Sequence, residues 1–249
     1  MINQPIALQM YTLRDASEKD FINTLKKVAE IGFDGVEFAG YGGLEAKELR
    51  NVIDTFGLRA ASSHVPLNNI RHVLDKEIEI QLALGSKYIV CPYLEENERT
   101  EKDYIQLIDT LNRAGEKCAA NNITLCYHNH DFELEKMSDG RSALQLILEE
   151  TNPDWVKAEL DVYWLTYAGE NPAEWIKRYS ERTPLLHLKD MTTDSERFFA
   201  ELGTGGIDLN GVLDAGKSAH VDWYVVEQDI CRLDPFESVS HSLSYLKSL

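Results

Sequence analysis

One pattern governs what this chain can become: short apolar runs alternate with longer amphipathic, charged ones from end to end, with no linker or low-complexity tract between them. The strand-like runs are 5–11 (PIALQMY), 33–39 (FDGVEFA), 58–64 (LRAASSH), 86–92 (SKYIVCP), 122–128 (NITLCYH), 155–161 (WVKAELD), 184–190 (PLLHLKD) and 222–228 (DWYVVEQ). Between them the spacing predicts helices over 18–31, 70–84, 101–120, 141–150, 172–181, 209–219 and 235–248, with Gly32 and Gly85 as helix stops. From residue 5 to residue 222 the strand starts recur about every 31 residues, a normal length for one βα unit. Eight such units, each returning right-handed to a parallel neighbour, close most simply into a (β/α)8 barrel. A doubly wound open sheet is the alternative, but no G-x-G-x-x-G or P-loop follows the first strand, as nucleotide-binding versions usually require.

A length of 249 residues with 43% hydrophobic content suits one barrel domain over 1–249. The formal charge of −17, from 25 Lys+Arg against 42 Asp+Glu, repels phosphate backbones and anionic lipid. Nucleic acid and membranes are therefore not expected as partners, and a small molecule or a cation is; a homo-oligomer is compatible with the sequence. Cys91, Cys118, Cys126 and Cys231 are widely spaced and form no C-x-x-C pair, which points to free buried thiols rather than a zinc ribbon or disulfide framework. The opening MINQPIALQMYTLRD reaches charge too early for a signal peptide, and no apolar run approaches the ~20 residues that cross a bilayer, so the expected location is the cytoplasm.

In such a barrel the active site forms at the carboxyl ends of the strands. Those ends carry Gln9, Tyr11 and Arg14, then Glu37, His64, Tyr93 and Glu95 from the first four runs. The last four give His128, Asn129, His130 and Glu133; Glu159 and Asp161; His187, Lys189 and Asp190; and Glu227 and Asp229. Singly, a strand-terminal Asp is usually a turn former or helix cap, and a His a bonded core residue. Together they would cost several kcal/mol per uncompensated buried ion. A divalent cation removes that cost, and a carboxylate and imidazole set suits Mn, Co, Zn or Mg.

The strings YHNHDFE (127–133), ELDVYWL (159–165), LLHLKDM (185–191), ELGTGGIDL (201–209) and WYVVEQD (223–229), with ALQMYTLR (7–14) and GVEFAG (35–40), resemble the xylose isomerase-like TIM-barrel superfamily of sugar phosphate isomerases/epimerases, inosose dehydratases and endonuclease IV relatives. The resemblance implies one divalent metal held from strands five to eight by Glu, Asp, His and Glu. Asp161, His187 and Glu227 match the last three positions. At the fifth strand the chain departs from the pattern: TLCYH places His128 where relatives carry a glutamate, with Glu133 the nearest carboxylate beyond. Glu133 is the expected fourth ligand because it keeps the ligand charge, with His128 or His130 as alternatives. Trp164 stands where epimerase relatives often carry a substrate-binding histidine; an indole can stack on a sugar face but has no useful basicity.

A metal on the carbonyl and hydroxyl of a keto-sugar acidifies the C–H between them and stabilises an enediolate. Glu227, with Glu133 or His130 opposite, is the expected acid/base pair, and Lys189 the oxyanion partner unless it pairs with Asp190 or Glu159. His64, Glu37, Tyr11, Trp164 and His128 are the expected substrate contacts. Reprotonation gives an isomerase or epimerase; expulsion of a β-oxygen gives a dehydratase or lyase of an inosose or 3-keto-glycoside. A non-catalytic sugar-binding barrel is the alternative of another class. The charge of −17 argues against a DNA-repair role. Phosphorylated sugars are less expected, since LGTGGID (202–208) reads more simply as a loop than as an anion cradle.

Overall fold

In a computed structural model, which describes residues 2–249, each of the eight apolar runs supplies one strand of a closed parallel barrel. In chain order the strands are Ile6–Gln9, Gly35–Phe38, Arg59–His64, Tyr88–Cys91, Thr124–His128, Val156–Asp161, Leu185–Leu188 and Trp223–Val226. Each pairs with the next, and the first closes on the eighth through Ile6↔Tyr224 to Leu8↔Val226. The sequence carries apolar residues on both strand faces because both are covered. Outward residues such as Leu8, Val36, Leu125, Leu160 and Val226 pack beneath the helices. Inward residues Ala7, Ala61, Val90, Cys126, Leu185 and Val225, with Tyr88 and Trp223, fill the barrel itself. Each fully buried aliphatic side chain contributes about 1.5–3 kcal/mol.

Gly35 shows how closely that interior is filled. A Cβ there would stand 2.5 Å from the Arg59 carbonyl and 2.9 Å from the Trp223 ring. Only glycine leaves room for the indole that plugs the amino-terminal end.

Gly32 and Gly85 stop their helices in left-handed conformation, at φ 104° and 71°. The predicted 70–84 helix begins earlier and breaks at Val73 into Leu67–His72 and Leu74–Leu84. Three helices lie outside the predicted set: Arg14–Lys19, which precedes Phe21–Ile31, Ala46–Phe56, and Val162–Tyr167, which starts directly at the end of the sixth strand. The last forms because Asp161 caps it, its carboxylate accepting from the Tyr163 and Trp164 N–H groups at 2.9 and 3.0 Å. The seventh barrel strand ends at Leu188, and Asp190–Met191 instead pairs antiparallel with Phe199–Ala200 in a small ribbon. Cys91, Cys118 and Cys126 are free and buried; Cys231 is free and only half-buried. Among the described residues no helix is long and apolar enough to cross a membrane.

Candidate active site

Residues two apart share a strand face, so the inward row of each late strand ends in ionisable groups at the carboxyl-terminal mouth. Cys126 leads to His128 on the fifth strand, and Glu159 to Asp161 on the sixth. His187 is followed by Lys189 on the seventh, and Val225 by Glu227 on the eighth. His128, Asp161, His187 and Glu227 are all buried, each offering a ligand atom within 4.8 Å of the others. A second group, His64, His128, Glu159 and His187, overlaps the first at two imidazoles.

Asp161 is the informative member. Its Oδ1 caps the Val162–Tyr167 helix, and its buried Oδ2 has no hydrogen-bond partner. That oxygen lies 3.1 Å from Lys189 Nζ, 3.8 Å from His128 Nε2 and 3.9 Å from His187 Nδ1. A buried carboxylate oxygen that meets only an ammonium and faces two imidazole nitrogens is a donor set that fits a divalent cation. The remaining imidazole atoms are already engaged. His187 Nε2 lies 2.6 Å from Glu37 Oε1, and His128 Nδ1 3.1 Å from Glu159 Oε2.

The electrostatics reflect this crowding of charge. Burial lowers His128 well below the usual imidazole range, and the neighbouring His187 adds to it, so the ring is neutral and able to ligate. Burial also works against the charged forms of His187 and Lys189. For His187 it is outweighed by Glu159 and Glu37, and for Lys189 by Asp161, Asp229 and Glu227, so both are shifted up. Burial would raise Glu227, but Lys189 and His187 hold it well below the usual carboxylate range. Glu159 is pushed up to about 7 by burial and by the adjacent Glu37.

Above the cluster opens a pocket of about 980 Å³, lined by Tyr11, His64, His128, His130, Trp164 and Glu227 among others. His130 stands on its wall, its ring 5.4 Å from Trp164 and stacked at 5.7 Å on Phe132. His130 Nδ1 and Trp164 Nε1 are both buried without partners.

Several expected roles change. Glu133 does not join the ligands. Tyr127 points outward beneath the helices, and the turn Phe132–Leu134 carries Glu133 to the same side. There its carboxylate accepts from Tyr127 Oη at 2.6 Å and from the His130 N–H at 2.7 Å. Burial pushes it up to about 7. His128, not Glu133, stands in the cluster with Asp161, His187 and Glu227, and Glu133 does not face Glu227 as an acid/base partner either. Glu37 is wholly buried beneath the mouth rather than facing substrate, accepting from Gln9 Nε2 at 2.6 Å and from Ser62 Oγ and supporting His187 and His64. Lys189 is buried and pairs with Glu227 and Asp229, each at 2.7 Å, and with Asp161 rather than with Asp190 or Glu159. Asp190 instead takes the N–H groups of Gly203, Gly205 and Ile207, at 3.0, 3.0 and 3.1 Å. Glu159 received no role from the sequence, although its place two residues before Asp161 puts it on the inward face.

Residues 25–249 match the model of the family described as xylose isomerase-like TIM barrel. The chain belongs to that family. An inosose dehydratase of Geobacillus thermodenitrificans is 24% identical, with 92% of this chain and 90% of that protein covered. Among solved structures, a sugar phosphate isomerase/epimerase from Parabacteroides distasonis is 27% identical, with a TM-score of 0.86 over 100% of this chain and 95% of that one. The zinc-bound IOLI protein shares the fold at 17% identity and a TM-score of 0.76, over 98% and 97% of the two chains. Members of the xylose isomerase-like family with these names are enzymes, and so is this chain.

Proposed function

We propose that the protein is a divalent-metal-dependent isomerase or epimerase of a keto-sugar or sugar derivative, working through an enediolate. The observation that carries this reading is the convergence of His128, Asp161, His187 and Glu227, with an Asp161 Oδ2 that has no partner besides the Lys189 ammonium, at the floor of a pocket sized for a small organic molecule. These four residues would hold the metal, and His128 replaces the glutamate expected from the fifth strand. When bound, the ion supplies positive charge at the substrate carbonyl and its adjacent hydroxyl, and thereby acidifies the C–H between them.

The chain's own groups handle the proton and the fit. Glu227, held ionised beside Lys189, accepts the proton from carbon. His130 presents a buried, unpartnered Nδ1 on the pocket wall and exchanges a proton with the substrate's other side or anchors a hydroxyl. The Lys189 ammonium keeps Glu227 charged and its field favours the developing oxyanion. Trp164 and Tyr11 offer ring faces to the apolar side of a sugar and exclude water.

Elimination is the second reading, favoured by the name of the inosose dehydratase relative. The same proton abstraction is then followed by loss of a β-oxygen. Incubation with keto-sugars, inososes and keto-glycosides in D2O, with and without Mn²⁺, decides between them by NMR. Deuterium at the carbon next to the carbonyl in a rearranged sugar supports isomerisation, and an unsaturated product supports elimination. No metal-dependent exchange with any of them would sink both and leave a binding barrel.

A further inference from the structure

The departure at the fifth strand raises a physical problem. A histidine in place of a carboxylate removes one negative charge from the ligand set, and an imidazole ligates only if one nitrogen carries its lone pair toward the ion and the other is held elsewhere. We propose that Glu159 is the positioning residue that makes His128 a metal ligand, accepting the Nδ1–H so that Nε2 is presented to Asp161, His187 and Glu227.

His128 and Glu159 are register partners on adjacent parallel strands, and both side chains point into the barrel. The Nδ1 to Oε2 distance is 3.1 Å, while Nε2 stands 3.8 Å from Asp161 Oδ2. The first distance is a hydrogen bond. The second is too long for one, so Nε2 and Oδ2 are not bonded to each other and both would be free to hold a cation between them. His187 repeats the arrangement with its nitrogens exchanged. Its Nε2 meets Glu37 Oε1 at 2.6 Å, and its Nδ1 faces Glu227 Oε2 at 3.0 Å and Asp161 Oδ2 at 3.9 Å. A carboxylate behind a ligating histidine fixes its ring and tautomer. Here Glu37 stands closest behind His187 and Glu159 behind His128, although Glu159 Oε2 also lies 2.9 Å from His64 Nε2 and 3.2 Å from His187 Nε2. On this account the charge missing from the fifth strand is returned from the sixth, one layer behind the ion. The rival is that Glu159 itself ligates, with His64, His128 and His187, since its Oε1 is buried and unpartnered.

The proposal rests on the metal reading above, and its test measures binding rather than turnover. Mn²⁺ and Co²⁺ affinities are compared by calorimetry for the whole chain, Glu159→Gln, Glu159→Asp, His128→Glu and the double variant His128→Glu/Glu159→Gln. Melting of each metal-free form checks its fold. Glu159→Gln should bind about ten- to a hundredfold more weakly and shift the visible spectrum of bound Co²⁺, with Glu159→Asp intermediate. His128→Glu alone should also bind weakly, because it sets two buried carboxylates side by side. The double variant should recover to within a few-fold of the parent, since its ligand is then a carboxylate that needs no support. Unchanged affinity in Glu159→Gln overturns the proposal. Losses that merely add in the double variant overturn it in favour of Glu159 as a ligand. Absence of metal uptake by the parent chain overturns the metal reading and this proposal with it.

Discussion

The two ends of the barrel are built from the same strands and answer opposite demands. At the amino-terminal end nearly all polar groups are matched within the chain: Tyr88 Oη donates to Asp222, the Arg59 guanidinium lies 4.5 Å over the Trp223 ring, and Arg182 donates to Leu148, Thr151 and Val156 with only its Nε left over. At the carboxyl-terminal end they are not. Among the described residues, six buried side-chain polar atoms make no hydrogen bond, and four of them belong to His130, Glu159, Asp161 and Trp164 at the mouth, the Asp161 atom having only its ion pair with Lys189. Leaving a buried polar group unpaired costs about 1–3 kcal/mol. One end is finished by folding; the other waits for a ligand.

The sharpest way to break this contrast is Glu227→Gln, which removes the proposed metal ligand and proton acceptor together. A loss of roughly 10²–10⁴ in kcat is expected from the acid/base role alone, with little loss of melting temperature in metal-free protein; equal turnover would show that the catalytic carboxylate lies elsewhere. Trp223→Ala should do the reverse. Removing the floor indole should cost about 3–5 kcal/mol of stability, read by denaturant unfolding, while kcat per folded molecule stays near that of the parent.

Glu133 tests a third kind of place, buried yet beside the mouth rather than in it. The folded chain keeps its proton up to about pH 7, whereas the ordinary value is 4.5. The folded state therefore binds more protons across that window, and stability falls as pH rises through it, by on the order of 3 kcal/mol. Glu133→Gln should flatten the slope of unfolding free energy between those pH values and leave metal affinity unchanged; a lost metal would restore Glu133 to the ligands. The smallest effect is expected from Asp229→Asn. Lys189 keeps Glu227 and Asp161 as partners, so losing one hydrogen bond of about 1 kcal/mol should cost about fivefold in kcat/KM. A loss equal to that of Glu227→Gln would mean that the two carboxylates had been assigned the wrong way round.

The barrel was legible in the sequence because buried parallel strands read as apolar runs and their ends as abrupt polar closures. Among those closures the family resemblance singles out Asp161, His187 and Glu227, and the structure brings them together. Glu133 was misread for want of the turn geometry: Phe132–Leu134 folds outward, and the alternation that sends Tyr127 away from the barrel gives the carboxylate its partner. The same alternation places Glu159 beside Asp161 on the inward face, yet a strand pattern does not say which carboxylate meets an imidazole from behind and which meets it from the front. The sequence assigns Val162–Tyr167 no element because VYWLTY is rich in β-branched and aromatic residues, which carry no helix signal, and the cap at Asp161 starts the helix nonetheless.

The Asp190 carboxylate, gripped by three amides of the glycine-rich turn, bears on what kind of molecule this enzyme can discriminate against. A turn of that shape is an anion trap, and here the trapped anion is tethered to the same chain. Any free phosphate group would have to displace a competitor present at an effective concentration of at least the millimolar order. The enzyme has in this sense inhibited its own glycine-rich turn, which is closed to a phosphate before any substrate arrives.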